Sequence, residues 1–297
     1  MIKRTIEISN KSHLSLRNKQ LVISQDGNEV GQIPVEDIGE LILNDARITV
    51  TQALMVESQK NNVALVLCDE KHLPISTLLP ISEGNKLHSK ILRAQIEVKA
   101  STKKRLWQNT IQAKIRNQAQ TLRYFNAGFK HLEAMVPRVK SGDPTNLEAT
   151  AARYYWRELF GNDFRRDRKL EGTNALLNYG YSITRAAIAR ALVGTGLHPA
   201  IGINHHSQYN GLALADDIIE PFRPWVDQIV KEITIDACAP KDITKETKQR
   251  LLGLLEHSVS YKGEKAPFMV SLGYLAADLK HAIQENKKTL NWPCKDH

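Results

Sequence analysis

Up to about residue 80 the apolar positions fall in short runs that either alternate with polar ones or stand together: TIEIS, HLSLR, QLVIS, ELILN and VALVLCD. Runs of this length, broken by turn signals such as Asp26-Gly27-Asn28, predict β-strands. QALMVESQKNN has helical texture and predicts one helix interrupting them. Beyond Gly84-Asn85 the pattern lengthens into stretches such as KILRAQIEVKASTKKRLWQNTIQAKIRNQAQTLRYF, rich in Ala, Leu, Gln, Lys and Arg, which predict long helices. The economical architecture is α+β: a small N-terminal β domain, residues 1–85, followed by a larger all-α domain, residues 86–297. Two domains also suit a chain of 297 residues. There is no internal repeat, no low-complexity tract and no glycine-rich phosphate loop of the Walker or Rossmann kind.

Composition adds location and charge. The 42% hydrophobic content can bury a real core. No run of about eighteen apolar residues occurs, and MIKRTIEISNK lacks the apolar segment of a signal peptide, so a cytoplasmic protein with no membrane partner is expected. Cys68, Cys238 and Cys294 are scattered, which predicts reduced structural thiols rather than a disulfide framework or a zinc-thiolate site. Residues 1–85 hold 8 Lys and Arg against 11 Asp and Glu, a balance of −3, which leaves +12 of the total +9 on the rest. From Lys86 to Lys140 there are 13 basic residues and two acids, Glu97 and Glu133. Ordinary surfaces mix both signs, so a face this basic points to a polyanion, and phosphates of nucleic acid are the obvious partner. Lys103, Lys104 and Arg105 are candidate DNA contacts within it.

Three constellations in the helical half carry candidate chemistry. In DPTNLEATAARYYW, Thr145 and Glu148 have the spacing of a capping box, in which the Glu only returns a hydrogen bond to the helix start. The alternative is that Glu148, at the mouth of a cationic groove, holds a divalent metal against a phosphate. In FRRDRKLEGTNALLNYGYSITRAAIARAL, a basic loop of Arg165, Arg166, Arg168 and Lys169 precedes Asn174, Asn178, Tyr181 and Arg185 at helical spacing. That edge suits either phosphate contacts or helix–helix hydrogen bonds. In HHSQYNGLALADDIIEPFRP, Asp217 and Glu220 share a helical face, with Asp216 rotated about 100° away and His205 able to fold back toward them. Acids in a first turn can simply complement the helix dipole. Oxygen ligands with one imidazole also suit Mg²⁺ or Mn²⁺.

Taken in order, NLEATAARYYW, the FRRDRKLEGTNALLNYGYSITRAAIARAL stretch and GLHPAIGINHHSQYNGLALADDIIEPFRP resemble the CRISPR-associated integrase family, the Cas-one proteins of spacer acquisition, in the form found in type II systems. The resemblance implies a metal-dependent DNA endonuclease and strand transferase that inserts short fragments into a CRISPR array by 3′-hydroxyl attack on a phosphodiester. It implies Glu148, His205 and Glu220 as catalytic metal ligands for Mg²⁺ or Mn²⁺, with Asp217 at the neighbouring acidic position. His205 rather than His206 fits the family pattern of a histidine four residues before a Tyr-Asn pair. Implied partners are double-stranded DNA, a second copy of the chain bound through the β domain, a dimer of the small Cas-two protein and other type II adaptation proteins. A generic metal-dependent DNA nuclease without joining activity is the alternative, and a non-catalytic DNA-binding scaffold a further one.

Overall fold

The five N-terminal runs all become strands, and three strands they did not announce complete two four-stranded sheets. The computed structural model describes residues 3–81, 85–167, 169–236 and 243–295. Its first elements are β1 (Arg4–Ile8), β2 (His13–Arg17), β3 (Gln20–Gln25), β4 (Asn28–Pro34), β5 (Ile38–Leu43), β6 (Thr49–Val50), α1 (Gln52–Lys60), β7 (Ala64–Cys68) and β8 (Pro74–Leu78). Asp26 and Gly27, both at positive φ (48° and 84°), make the two-residue turn joining β3 to β4, as their sequence predicts. The sheets run β4-β3-β2-β6 and β1-β5-β7-β8. Leu14, Leu21, Leu41, Leu65 and the α1 residue Leu54 are all buried in one core that draws on both sheets. Strands β1, β5 and β7 are mutually parallel. The opposite faces of β5 and β7 present Ile42 and Val66 to the helical half, so both faces are covered. That double burial is why ELILN and VALVLCD read as continuous apolar runs.

The helical half comprises α2 (His88–Glu97), α3 (Ala100–Tyr124), α4 (Lys130–Met135), α5 (Leu147–Phe160), α6 (Thr173–Gly194), α7 (Ala213–Ile219), α8 (Arg223–Asp236), α9 (Lys245–Glu256) and α10 (Phe268–Gln284). Helix α6 is apolar and buried almost all round, the mark of a central helix. The expected all-α character of residues 86–297 needs one correction. Strands β9 (Ser258–Tyr261), β10 (Glu264–Pro267) and β11 (Cys294–Lys295) form a three-stranded antiparallel sheet in the order β10-β9-β11. Lys262 and Gly263, at φ 53° and 89°, turn this hairpin. It is too short to stand alone and leans on α10 through the Phe268 N–H, which donates to the His257 carbonyl at 2.8 Å.

Polar contacts tie the strands to the helices. Arg190 Nε on α6 donates to the Asn62 carbonyl at 2.6 Å, and Lys248 on α9 reaches Glu7 on β1 at 3.4 Å with both side chains nearly buried. Cys68 and Cys294 are free thiols, whereas Cys238 lies outside the described residues. Among the described residues no helix is long and apolar enough to cross a membrane.

Candidate active site

Helix α3 is the spine of the site. Trp107, Lys114, Asn117 and Thr121 recur at intervals that keep them on one helical face, and all four are buried. Asn117 Nδ2 donates to the Pro221 carbonyl at 2.6 Å and Thr121 Oγ1 to the Pro224 carbonyl at 3.1 Å. These bonds clamp the turn Glu220–Phe222, which joins α7 to α8, against α3.

Glu148 sits in the first turn of α5, yet the capping box expected from Thr145 and Glu148 does not form. The Asp143 carboxylate instead accepts the N–H groups of Leu147 and Glu148, each at 2.9 Å, and Asn146, at φ 51°, accepts from the Ala149 N–H at 3.4 Å. With its orphan donors satisfied by Asp143 and Asn146, the helix start leaves the Glu148 side chain free to face α3.

There it meets Lys114. The Lys114 ammonium donates to Glu148 Oε1 at 2.6 Å and to Glu220 Oε2 at 2.5 Å. Glu220 Oε1 takes Arg223 Nε at 2.8 Å. Burial alone would raise the Glu220 carboxyl, but Arg223 and Lys114 outweigh it and hold it down at about 2. Burial likewise pulls Lys114 down, and Glu220 and Glu148 more than reverse that, so it stays protonated above the ordinary lysine value. The result is a buried ionic cluster of two carboxylates and two cations.

His205 reaches the same region from the loop before α7. Fully buried Asp217 Oδ2 accepts the N–H groups of Ile203 and Asn204 at 2.5 and 3.0 Å, while Oδ1 accepts the His205 N–H at 3.1 Å and its Nδ1 at 2.7 Å. Both Asp217 oxygens are thus engaged in folding the loop and fixing the imidazole. With Nδ1 engaged, Nε2 points away from Asp217. Trp107 stands edge-on to the ring at 5.8 Å, and His206 is exposed. The hydrogen bond that His205 donates to Asp217 raises its pKa, burial opposes this, and the charges of Asp217, Glu220 and Asp216 add to the rise.

A cleft of about 650 Å³ opens over the carboxylates, lined by Glu148, Glu220, Lys114, Arg166, Arg185 and Arg223 among others, with Asp69, Leu73, Pro74 and Ile75 of the β7–β8 hairpin along one wall. The polar edge of α6 lines this cleft and is also wired internally. Tyr181 is buried and donates to Asp227, which also accepts Tyr155 at 3.0 Å. Asn174 and Asn178 accept from Arg166 at 2.9 and 2.7 Å, and Asn174 also donates to the Arg165 carbonyl at 3.0 Å. Arg185 grips Asp216 through two bonds of 2.6 and 2.8 Å. Lys104, Arg105, Arg165 and Lys169 are exposed and Lys103 half-buried, while Arg168 lies outside the described residues.

Sequence reasoning passed over Lys114, counting it with the solvent-facing basic residues. Its signal was a lone cation between Ile111, Ala113, Ile115 and Ala119 on a buried helix face. It also passed over Asp143 and Asp227, acids with no family-independent spacing to mark them.

Glu148 and Glu220 thus face one cation, and His205, which feels the charge of Glu220, is oriented by Asp217. Among the described residues no three His, Cys, Asp or Glu side chains converge on a common point as they stand, and Lys114 lies between the two carboxylates. The donor set nonetheless fits a divalent ion: two carboxylates already arranged about a positive charge and an imidazole with its Nδ1 fixed.

Such acids and guanidinium groups in one cleft define a protein suited to phosphate chemistry. The sequence model for CRISPR associated protein Cas1 matches residues 7–254. The chain is 33% identical over 296 residues to the CRISPR-associated endonuclease Cas1 of Neisseria meningitidis serogroup C (strain 8013), covering 99% of this chain and 96% of that one. This chain belongs to the Cas1 family. Among solved structures, a casposase bound to integration product superposes with a TM-score of 0.77 at 21% identity over 98% of this chain and 92% of that one. A Cas6-RT-Cas1–Cas2 complex gives 0.75 at 18% identity, over 98% of this chain and 36% of that one. These likenesses establish the fold.

Proposed function

We propose that this protein is a CRISPR adaptation integrase of the type II branch, joining short DNA fragments to a CRISPR array by attack of a fragment 3′-hydroxyl on a phosphodiester. The observation that carries the reading is the convergence of Glu148 and Glu220 on a single cation beneath a cleft bearing Arg166, Arg185 and Arg223. Glu148, Glu220 and His205 Nε2 would hold Mg²⁺ or Mn²⁺, which supplies Lewis-acid polarisation of a phosphoryl oxygen. The chain's own residues do the rest. Asn117 and Thr121 fix the Glu220 turn, Asp217 fixes the imidazole, and the exposed Lys104, Arg105, Arg165 and Lys169 hold the DNA backbone so that attacking and leaving oxygens lie in line. A nucleic-acid hydroxyl is the nucleophile, so the protein needs none of its own.

Double-stranded DNA, a second copy of the chain and a Cas2 dimer belong to the same reading, in the cytoplasm of a prokaryote. The name of the Cas6-RT-Cas1–Cas2 neighbour supports the Cas2 partner. We assign protein contacts to residues 1–85, where Met55, Val56, Leu78, Leu79, Pro80 and Ile81 line an apolar groove, and DNA and metal contacts to residues 86–297.

The test is integration of a duplex with free 3′-hydroxyl ends into a plasmid carrying the repeat, with the small partner protein present, in Mg²⁺, Mn²⁺ or EDTA. Joined product is expected from the wild type with metal, and none with EDTA or from folded Glu148→Ala and His205→Ala. Joining by these folded variants contradicts the site, and cutting without joining favours the nuclease.

A further inference from the structure

We propose that Lys114 is a built-in competitor of the metal: in the DNA-free protein its ammonium takes the divalent ion's place between Glu148 and Glu220, and it must leave that place for the ion to enter. This rests on the metal-site reading above. Three observations carry it. The ammonium contacts one oxygen of each carboxylate, at 2.6 and 2.5 Å, so the two acids are arranged around a cation already supplied by the chain. The Lys114 side chain is only 10% exposed, so water cannot replace those partners cheaply. Finally, Arg223 holds the other oxygen of Glu220, which makes the cluster electrically neutral as it stands.

Charge balance then sets the order of events. A divalent ion added with Lys114 still in place would leave two uncompensated positive charges beside a largely buried ammonium, which is unfavourable. Lys114 also borders the cleft, and its flexible four-carbon stem allows the ammonium to turn from the carboxylates toward a phosphate there. An entering DNA phosphate therefore attracts both cations at once, so metal and DNA bind cooperatively and the free enzyme holds metal weakly.

The test measures Mn²⁺ binding without DNA by electron paramagnetic resonance, with thermal melts beside it, for wild type, Lys114→Met, Lys114→Gln and Glu148→Ala. The two neutral Lys114 variants are expected to bind Mn²⁺ at least tenfold more tightly than wild type, to melt lower without metal and to gain more from Mn²⁺. Glu148→Ala is expected to lose binding. Unchanged or weaker Mn²⁺ affinity in a folded neutral variant would overturn the competition while leaving the metal site intact. Failure of both neutral variants to fold even at saturating Mn²⁺ would also overturn it, because Lys114 would then be a structural residue. Wild-type binding by Glu148→Ala would instead sink the metal-site reading and the competition with it.

Discussion

The carboxylate of Asp217 accepts the Nδ1 of His205 at 2.7 Å and the backbone N–H of the same residue at 3.1 Å, so one buried acid sets both the loop and the tilt of the ring. Two further N–H groups, of Ile203 and Asn204, close on its other oxygen. Asp217→Ala would orphan three backbone donors at once, a loss of roughly 2–4 kcal/mol of stability. Asp217→Asn keeps the volume but turns a donor group toward donors, and is expected to cut metal affinity and joining by about 10–100-fold, the usual range for a partner that orients a ligand. Urea melts and Mn²⁺ titration of the two variants check this; wild-type metal affinity in Asp217→Asn would refute the orienting role.

The two roles between which the sequence left Glu148 open fall to different residues: Asp143 caps the helix, and Glu148 faces Lys114. Glu148→Ala keeps the Asp143 and Asn146 caps and the Lys114–Glu220 pair, so it is expected to stay folded while losing strand transfer. Asp143→Ala removes the acceptor for two helix-start donors and is expected to cost about 1–2 kcal/mol. Paired thermal melts and joining assays separate them. The assignment of roles fails if Asp143→Ala is as stable as wild type.

Gly202 is needed for closeness rather than for turning. A Cβ there would lie 2.4 Å from the His205 carbonyl oxygen and 2.8 Å from Asp217 Oδ2, neither of which can swing aside. Gly202→Ala is therefore expected to displace the His205 loop and abolish joining, with far-UV circular dichroism unchanged. Retained joining would show that the loop tolerates the shift.

How far the sequence reaches is visible in these residues. Element types followed from periodicity, and Asp26-Gly27 announced its turn, because those signals are local. Pairing Glu148 with Glu220 came from resemblance, since α3 brings them together through a lysine more than thirty residues from one and more than a hundred from the other. The capping-box spacing misled because Asp143, four residues ahead of the helix start, outcompetes Thr145 for the same donors. Asn178 and Tyr181 do lie along one helical edge, but periodicity does not say whether that edge meets DNA or Arg166 and Asp227. Strands β4, β6, β8 and β11 were not announced, and β9 and β10 were missed because four-residue strands carry only two alternations each.

Glu40, on β5, has both carboxylate oxygens buried without a hydrogen-bond partner among the described residues, and burial pushes its pKa up to about 8, against a smaller opposing pull from Arg190. A carboxyl raised above its unfolded value, about 4.3, contributes stability that is full below that pH and is lost as pH climbs through the folded value. Glu40→Gln, which cannot ionise, is expected to become more stable than wild type by a growing margin, about 1–4 kcal/mol in all, as pH rises from about 5 to 8. Urea midpoints of both proteins across that range measure it, and a constant difference would show that Glu40 ionises at no cost.

The most direct measurement is the position of Mn²⁺ by anomalous scattering in crystals of the protein grown with Mn²⁺ and a short duplex with a free 3′-hydroxyl end. The expected peak lies about 2.0–2.3 Å from a carboxylate oxygen of Glu148, one of Glu220 and Nε2 of His205, with Lys114 turned away from both acids. A Mn²⁺ peak elsewhere, with Lys114 still bridging Glu148 and Glu220, would contradict the site on which the proposed function stands.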